Sequence, residues 1–203
     1  MKKVLSVLTL SLLFLNLFSQ EFLPKIKGQR LDYSYHIVDW DSIGKIPRFV
    51  YYKIYKDSLK TFPRDIFRED KSILTSSKPS DYFGSGFDRG HMLPHASAWN
   101  ERMRTESFYM TNIAPQLPKT NRGTWRKIEE TERELSDPYC IVISGTDGKI
   151  AMMGGKIRIP EGFWKVIYNP EKKIKKAFYI DWKGQGGEID IEKLEKLVWI
   201  RFK

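Results

Sequence analysis

Residues 85–91 read Ser-Gly-Phe-Asp-Arg-Gly-His, and the chemistry of this stretch organises the rest of the chain. His91 can accept a proton near neutral pH, because an unperturbed imidazole has a pKa of about 6.5. Arg89 presents a planar guanidinium that binds phosphate oxygens in pairs. Gly90 allows a sharp turn or a close approach of the backbone, and Asp88 can orient a neighbouring donor. The four residues suit a phosphodiester, although such a tetrapeptide also occurs by chance in surface turns.

The chain is basic. It has 35 Lys and Arg against 25 Asp and Glu in 203 residues, a net charge of +10. This balance favours an anionic partner such as nucleic acid or an anionic surface, but a soluble basic protein without such a partner would have the same composition. The length and a hydrophobic content of 41% predict one globular domain with its own core.

The first 19 residues have the pattern of a secretory signal peptide. Lys2 and Lys3 precede an apolar run over residues 4–18, and Ser19 offers a small residue at a cleavage point before Gln20. The run is shorter than the ~20 residues of a membrane span. We therefore predict a single domain over residues 20–203, secreted or periplasmic, with no stable membrane association after cleavage. Loss of Lys2 and Lys3 lowers the net charge only from +10 to +8.

The apolar patterning predicts an α+β domain with a mixed or antiparallel sheet core. Turn-forming residues at 41–47 favour a hairpin between the first two strands, and Asp190 is a candidate cap for a helix over residues 191–197. The predicted strands cover residues 33–38, 49–55, 108–113, 141–143, 163–168, 177–180 and 198–202.

A second polar constellation lies on a predicted amphipathic helix over residues 120–135. Thr120 or Asn121 would cap this helix, and Asn121, Trp125 and Glu129 follow at intervals of four, so they project from roughly one side. An amide and a carboxylate on one rigid element are oxygen ligands of the kind Mg²⁺ prefers. The simpler alternatives are that Asn121 only caps the helix and that Glu129 is an exposed acid in an ion pair.

The long loop over residues 56–86 and the histidine pair offer further candidates. Arg64 and Arg68 flank Phe67 and could reach a phosphate, or could pair with acids nearby. His91 and His95 have the spacing of two zinc ligands on a helix. Pro94 argues against that helix, because proline disfavours helical geometry in the preceding residue. A zinc hydrolase is therefore the weaker hypothesis.

Taken together, these motifs resemble the DNA/RNA non-specific endonuclease family of ββα-metal nucleases. The resemblance extends over residues 33–202, and its strongest parts are residues 88–91, the Asn-Ile-Ala-Pro-Gln run at 112–116, and Asn121, Trp125 and Glu129. It implies a ββα-metal finger that carries the active site. Where family members usually have Thr-Gly-Pro, this chain has Ser-Gly-Thr-Asp-Gly at 144–148, which leaves substrate range and dimerisation open.

The resemblance also implies a role for each matching residue. His91 would be the general base, Arg89 would contact the phosphate, and Asn112 would support the geometry near His91. Asn121 would be the direct ligand of Mg²⁺, for which Mn²⁺ could substitute, and Glu129 would contact the ion through water.

Further implied roles concern substrate binding. Arg64 and Arg68 are the candidates for a second phosphate-binding arginine beside Arg89, and Asp88 is a structural organiser. The implied substrates are DNA and RNA, bound through the phosphate backbone and cut to 5′-phosphate ends. A homodimer is compatible with the resemblance, and no residue indicates an inhibitor protein. The rival interpretation is a non-catalytic basic module that binds nucleic acid or another anionic polymer.

Overall fold

The computed structural model describes residues 22–56, 63 and 65–202. The predicted signal peptide and Arg64 lie outside the described residues. The strands are β1 (Gln29–Asp32), β2 (His36–Asp41), β3 (Ile46–Tyr55), β4 (Asp88–His91), β5 (Ile113–Gln116), β6 (Tyr139–Asp147), β7 (Ala151–Met153), β8 (Ile157–Ile159), β9 (Gly162–Asn169), β10 (Ile174–Asp181) and β11 (Gly186–Ile189). The helices are α1 (Glu101–Ser107), α2, which runs through Pro118–Thr120, Asn121–Trp125 and Arg126–Glu134, and α3 (Ile191–Val198).

Seven strands form one sheet in the order β1-β2-β3-β6-β9-β10-β11, and the pairs β4-β5 and β7-β8 stand apart from it. All pairings between these named strands are antiparallel. The predicted α+β class with an antiparallel core is therefore confirmed, as is the hairpin between β2 and β3.

Three predicted strands differ from the observed ones. Residues 110–112 form a 3₁₀ turn, and the strand begins only at Ile113. The turn arises where the buried Asn112 side chain bonds the backbone of neighbouring segments. The strand predicted at 33–38 is β2, which runs over His36–Asp41. The strand predicted at 198–202 is absent: Trp199 adopts a left-handed conformation after α3, which ends the regular structure.

The central sheet is covered on both faces, because successive side chains of a strand point to opposite sides. In β6, Cys140 and Val142 join a core cluster on one face, and Ile141 and Ile143 join a cluster on the other. The second cluster includes Leu194 and other residues of α3. Helix α3 begins as predicted at Asp190, whose carboxylate accepts hydrogen bonds from two backbone amides of the first turn.

The first face carries the unit formed by β4, β5 and α2. Met92, Leu93, Trp125 and Ile128 belong to the core cluster of this face, so burial of apolar surface fixes the unit on the sheet. Strands β4 and β5 pair from Asp88 opposite Gln116 to His91 opposite Ile113. This ββα arrangement agrees with the expected finger. None of the helices among the described residues is long and apolar enough to span a membrane.

Candidate active site

A cavity of about 720 Å³ opens between β4, α2 and the loop that precedes β4. Most of the residues predicted from the motifs meet in it, although they come from segments more than thirty residues apart. Its lining consists of Phe67, Tyr82, Phe83, Phe87, Asp88, Arg89, His91, His95, Phe108, Asn121, Arg122, Arg126 and Glu129.

The ring of His91 is held in the cavity wall by aromatic neighbours. Its centroid lies 5.1 Å from that of Phe67 and 5.0 Å from that of Phe108, which it meets edge to face. The backbone carbonyl of His91 accepts a hydrogen bond from Trp125 Nε1 at 3.1 Å. The strand below and the rings at the sides therefore hold the imidazole in one position.

Arg89 lies on the same cavity wall, two residues before His91. Its guanidinium carbon is 4.7 Å from the ring centroid of Phe67, and its Nη1 reaches the carbonyl of Pro79 at 3.5 Å. Stacking on an aromatic ring restrains a guanidinium without neutralising its charge. The side chain thus stays available to an anion in the cavity.

Asp88 connects β4 to helix α2. Its carboxylate accepts a hydrogen bond from Asn121 Nδ2 at 2.9 Å and a pair of bonds from Arg122, at 2.9 Å from Nε and 2.8 Å from Nη2. Because the amide nitrogen of Asn121 binds Asp88, the opposite atom, Oδ1, is the one that can face a cation. This is the arrangement that the organiser role of Asp88 requires; the role itself stays a prediction.

Helix α2 differs from the prediction at its start and in its first turns. It begins at Pro118, so neither Thr120 nor Asn121 caps it; proline is well suited to this position because its φ is already helical. A π-helical turn covers Asn121–Trp125. Trp125, at the end of this turn, is fully buried in the core. Asn121 and Glu129 remain on the cavity side.

Glu129 is partly buried at the inner end of the cavity. Burial raises the pKa of its carboxyl to about 7; Lys165 opposes this rise and Glu132 adds to it. The protonated carboxyl is therefore favoured more strongly here than in an exposed glutamate. A cation nearby would favour the carboxylate.

Asn112 does not line the cavity. It is fully buried, and its Oδ1 accepts from the Leu93 amide at 2.8 Å while its Nδ2 donates to the carbonyls of Leu93 and Ser107 at 2.9 and 2.8 Å. These bonds fix the segment that follows His91. The expected support of the geometry near His91 by Asn112 is compatible with these bonds and stays a prediction.

Arg68 lies away from this cavity. Its Nη2 pairs with Asp65 at 2.5 Å, its Nε donates to the Ile66 carbonyl, and it lines a different cavity together with Lys71 and Arg102. Phosphate binding by Arg68 and by Arg64 stays a prediction.

His95 lines the same cavity as His91, and its ring centroid is 5.6 Å from that of Phe108. Across the described part of the chain, no three His, Cys, Asp or Glu side chains form a group that could hold a metal ion. The lining residues that carry carboxylate or amide oxygens are Asp88, Asn121 and Glu129.

Two cavity arginines were missed by the sequence prediction. Arg122 and Arg126 lie on the cavity side of α2, and their spacing of four residues, together with the position of Arg122 next to Asn121, was the available signal. Arg122 is bound to Asp88 and Arg126 is paired with Glu130 at 3.0 Å. Phe83, with 74% of its surface exposed, lies at the rim of the cavity and was also missed.

The chain is similar to known nucleases over most of its length. The model of the DNA/RNA non-specific endonuclease family matches residues 15–198. A nuclease from Nostoc sp. is 36% identical over 115 residues, which are 51% of this chain and 40% of the relative. Nuclease C1 from Cunninghamella echinulata is 30% identical over 166 residues, 70% of this chain and 66% of the relative.

Shorter and more distant similarities agree. Human mitochondrial endonuclease G is 40% identical over 76 residues, 36% of this chain and 26% of that protein. The chain thus matches well under half of the length of the Nostoc and human relatives. The crystal structure of the EndoG/EndoGI complex superimposes with a TM-score of 0.77 at 20% identity and covers 86% of this chain and 85% of the other. At this identity the superposition establishes a common fold.

Proposed function

This chain belongs to the DNA/RNA non-specific endonuclease family, and from this premise we propose that it hydrolyses phosphodiester bonds in DNA and RNA with the help of a divalent cation. The observation that carries the proposal is the single cavity lined by His91, Arg89, Asn121 and Glu129. A base, an anion-binding group and oxygen donors for a cation are the parts that phosphodiester hydrolysis needs. We expect products with 5′-phosphate and 3′-hydroxyl ends.

His91 acts as the general base in this proposal. It takes a proton from the attacking water, and the rings of Phe67 and Phe108 keep its imidazole in position for that transfer. Arg89 binds the non-bridging phosphate oxygens and offsets the negative charge that develops on them. Its stacking on Phe67 restrains the guanidinium in the wall of the cavity.

The residues present fit a hard divalent cation. The Oδ1 of Asn121 is turned away from Asp88, and the carboxyl of Glu129 shares the cavity. Mg²⁺ takes oxygen ligands and keeps several waters, so Asn121 would hold it directly and Glu129 through water, with Mn²⁺ as a substitute. When bound there, the cation would stabilise charge on the phosphate and on the leaving oxygen.

We also propose export through the segment at residues 1–19, because a basic start, an apolar run and a small residue precede Gln20. The mature protein would then be secreted or periplasmic. Mass spectrometry of the protein recovered from the medium or periplasm should give an N-terminus at Gln20. Retention of Met1 in the exported protein would contradict the cleavage.

A plasmid-nicking assay tests the function. The wild-type protein should convert supercoiled plasmid to nicked and linear forms with Mg²⁺, should degrade RNA, and should do neither with EDTA. His91→Ala should lower the rate by about 10²- to 10⁴-fold, the range for loss of a general base, with an unchanged circular dichroism spectrum. Undiminished nicking by this variant, or nicking in EDTA, would remove the proposed mechanism.

The same assay at increasing Mg²⁺ concentrations distinguishes the loss of the cation ligand from the loss of the general base. Asn121→Ala should need a much higher Mg²⁺ concentration, since the direct ligand is lost. Glu134→Ala, at an exposed position of the same helix outside the cavity, provides the control, and its metal dependence should equal that of the wild type. Metal dependence of Asn121→Ala that follows the wild-type curve would rule out the ligand role.

The same measurements decide between the rival interpretations. A non-catalytic module would bind the plasmid but leave it intact with Mg²⁺. A zinc hydrolase built on His91 and His95 would retain zinc in elemental analysis and would depend little on Asn121.

A further inference from the structure

A second, smaller cavity adjoins helix α2 outside the catalytic cavity. It has a volume of about 590 Å³ and lies between the first turns of α2 and the turn that joins β10 to β11. Its lining includes Lys119, Lys127, Lys183 and Trp182 and contains no carboxylate. An anion is the ligand that this set of charges would attract.

The walls of this cavity are fixed to each other by hydrogen bonds. Thr120 Oγ1 donates to the carbonyl of Trp182 at 3.0 Å, and Thr124 Oγ1 donates to the carbonyl of Gly184 at 3.0 Å. The acid nearest in sequence, Asp181, is used within the turn, where its Oδ1 accepts from the amides of Lys183 and Gln185. The lysines therefore stand on a rigid surface.

The three lysines have no acidic partner. No ion pair among the described residues involves Lys119, Lys127 or Lys183, and all three are exposed. The Nζ of Lys183 lies 5.3 Å from the ring centroid of Trp182, which is a contact with a neutral group. By contrast, the two arginines on the catalytic side of α2 are paired with Asp88 and Glu130. An anion bound among the lysines would relieve their mutual repulsion.

The two cavities share one helix. Asn121, Arg122 and Arg126 face the catalytic cavity, while Lys119 and Lys127 face the second one. A helix with its side chains is about 10–12 Å wide, a distance that a few nucleotides of an extended strand can cover. A strand with its scissile phosphate beside Arg89 would have to cross the N-terminal turns of α2 to reach the second cavity.

We propose that the second cavity binds the phosphate backbone of the nucleic-acid substrate a few nucleotides from the bond that is cut. The inference rests on the proposed function, because it extends the path of that substrate. Lys119, Lys127 and Lys183 bind consecutive phosphates as point charges. The cavity therefore determines how tightly a long substrate binds, and it takes no part in the chemical step.

The binding test replaces all three lysines by glutamine. Affinity for a fluorescent single-stranded oligonucleotide is measured by anisotropy in EDTA over a range of salt concentrations. Each lost phosphate contact lowers the slope of log K against log salt by about 0.7, so the slope should fall by about 2. Affinity at 0.1 M salt should fall by up to roughly 100-fold. The triple arginine variant keeps the charges and should keep the wild-type slope.

A matched control carries the same three substitutions at Lys25, Lys193 and Lys196. These lysines are exposed and lie on segments that pack on the opposite face of the sheet. Glutamine at these three positions lowers the net charge by the same amount as in the test variant. The effect of the control variant therefore measures the contribution of net charge alone. Equal affinities and slopes for the two glutamine triples would overturn the proposal.

Two further measurements complete the design. Acetylation footprinting of the wild-type protein should show that the oligonucleotide protects Lys119, Lys127 and Lys183 but not Lys193. Hydrolysis of a small chromogenic phosphodiester, too short to reach the second cavity, should be unchanged in the glutamine triple. Absence of protection would overturn the second site. A wild-type protein that binds oligonucleotide at the lysines but cuts nothing would refute the proposed function and leave the site intact.

Discussion

At the scale of single residues, Gly90 shows how the packing below the site restricts the motif. A Cβ at this position would lie 2.2 Å from Oε1 of Gln116 on the paired strand. The glycine therefore avoids a clash with the side chain of Gln116 in β5. From the sequence, a sharp turn or an approach to a ligand could be expected equally; the partner that decides between them lies 26 residues further along the chain.

His36 is a buried residue whose chemistry affects stability rather than the site. Its ring stacks on Tyr33 at 4.4 Å between centroids, and its Nδ1 is 4.0 Å from a carboxylate oxygen of Glu106. Burial lowers the pKa of His36 to about 3. His36 is thus a buried packing residue.

This lowered pKa predicts a loss of stability in acid. Below the ordinary imidazole pKa of about 6.5, the unfolded chain takes up a proton that the folded protein does not, so stability falls with the pH. Between pH 6.5 and 4.5 the free energy of unfolding should fall by about 2–3 kcal/mol more in the wild type than in His36→Phe. Urea unfolding of both proteins at the two pH values measures the difference; parallel curves would contradict the assignment to His36.

At the scale of elements, α2 is joined to the sheet by a buried polar cluster. Lys165 in β9 and Glu132 in α2 form an ion pair and are both fully buried. Glu132 also accepts from Tyr52 at 2.8 Å and from Ser97 at 2.5 Å. The Nζ of Lys165 lies 5.0 Å from the ring centroid of Trp125. The cluster therefore fixes the helix turn that carries Glu129 against the sheet.

Removal of one partner of this pair should be costly. Glu132→Gln leaves a buried ammonium without its counter-ion, and we expect a loss of about 3–5 kcal/mol in the free energy of unfolding. The double variant Lys165→Met with Glu132→Leu should lose less, because no buried charge remains. These values come from urea unfolding at neutral pH.

An exposed pair of similar type serves as the comparison. Lys176 pairs with Glu188 at 2.9 Å at the edge of the sheet. Lys176→Met should change the free energy of unfolding by no more than about 1 kcal/mol. A loss in Glu132→Gln as small as this would show that the buried pair does not hold α2 in place.

The start of α2 also explains one error of local prediction. The spacing of Asn121, Trp125 and Glu129 assumes a regular α-helix, and the π-helical turn over Asn121–Trp125 breaks that regularity. The turn places Trp125 in the core, where its indole reaches the carbonyl of His91. The periodicity of the helix sequence cannot reveal such a turn, because the contact that accompanies it joins Trp125 to His91 in β4.

At the scale of the whole molecule, the sheet separates two regions. One face carries the ββα unit with the catalytic and the basic cavities, and the other carries α3 and the segment from Phe22 to Ile26. Alternation along β3, β6 and β9 supplies both faces with apolar side chains. Lys165 interrupts this pattern on the first face, between Phe163 and Ile167, at the position where Glu132 of α2 meets the sheet.

The sequence by itself determined the parts of this protein that depend on neighbours along the chain. Strand alternation predicts most of the sheet, and Asp190 marks the start of α3. Residues 88–91 and the later Asn121 and Glu129 indicate the chemistry and the family. Each of these signals depends on residue type and on spacing within one segment of the chain, and both can be read from the sequence.

Only the tertiary structure decided which of these residues meet. Asp88 binds Asn121 and Arg122 across more than thirty residues, and Lys183 joins Lys119 and Lys127 from a turn about sixty residues away. Such contacts follow from the packing of β4, α2 and the β10–β11 turn. Packing depends on the sum of many small, long-range contacts, which no local pattern records.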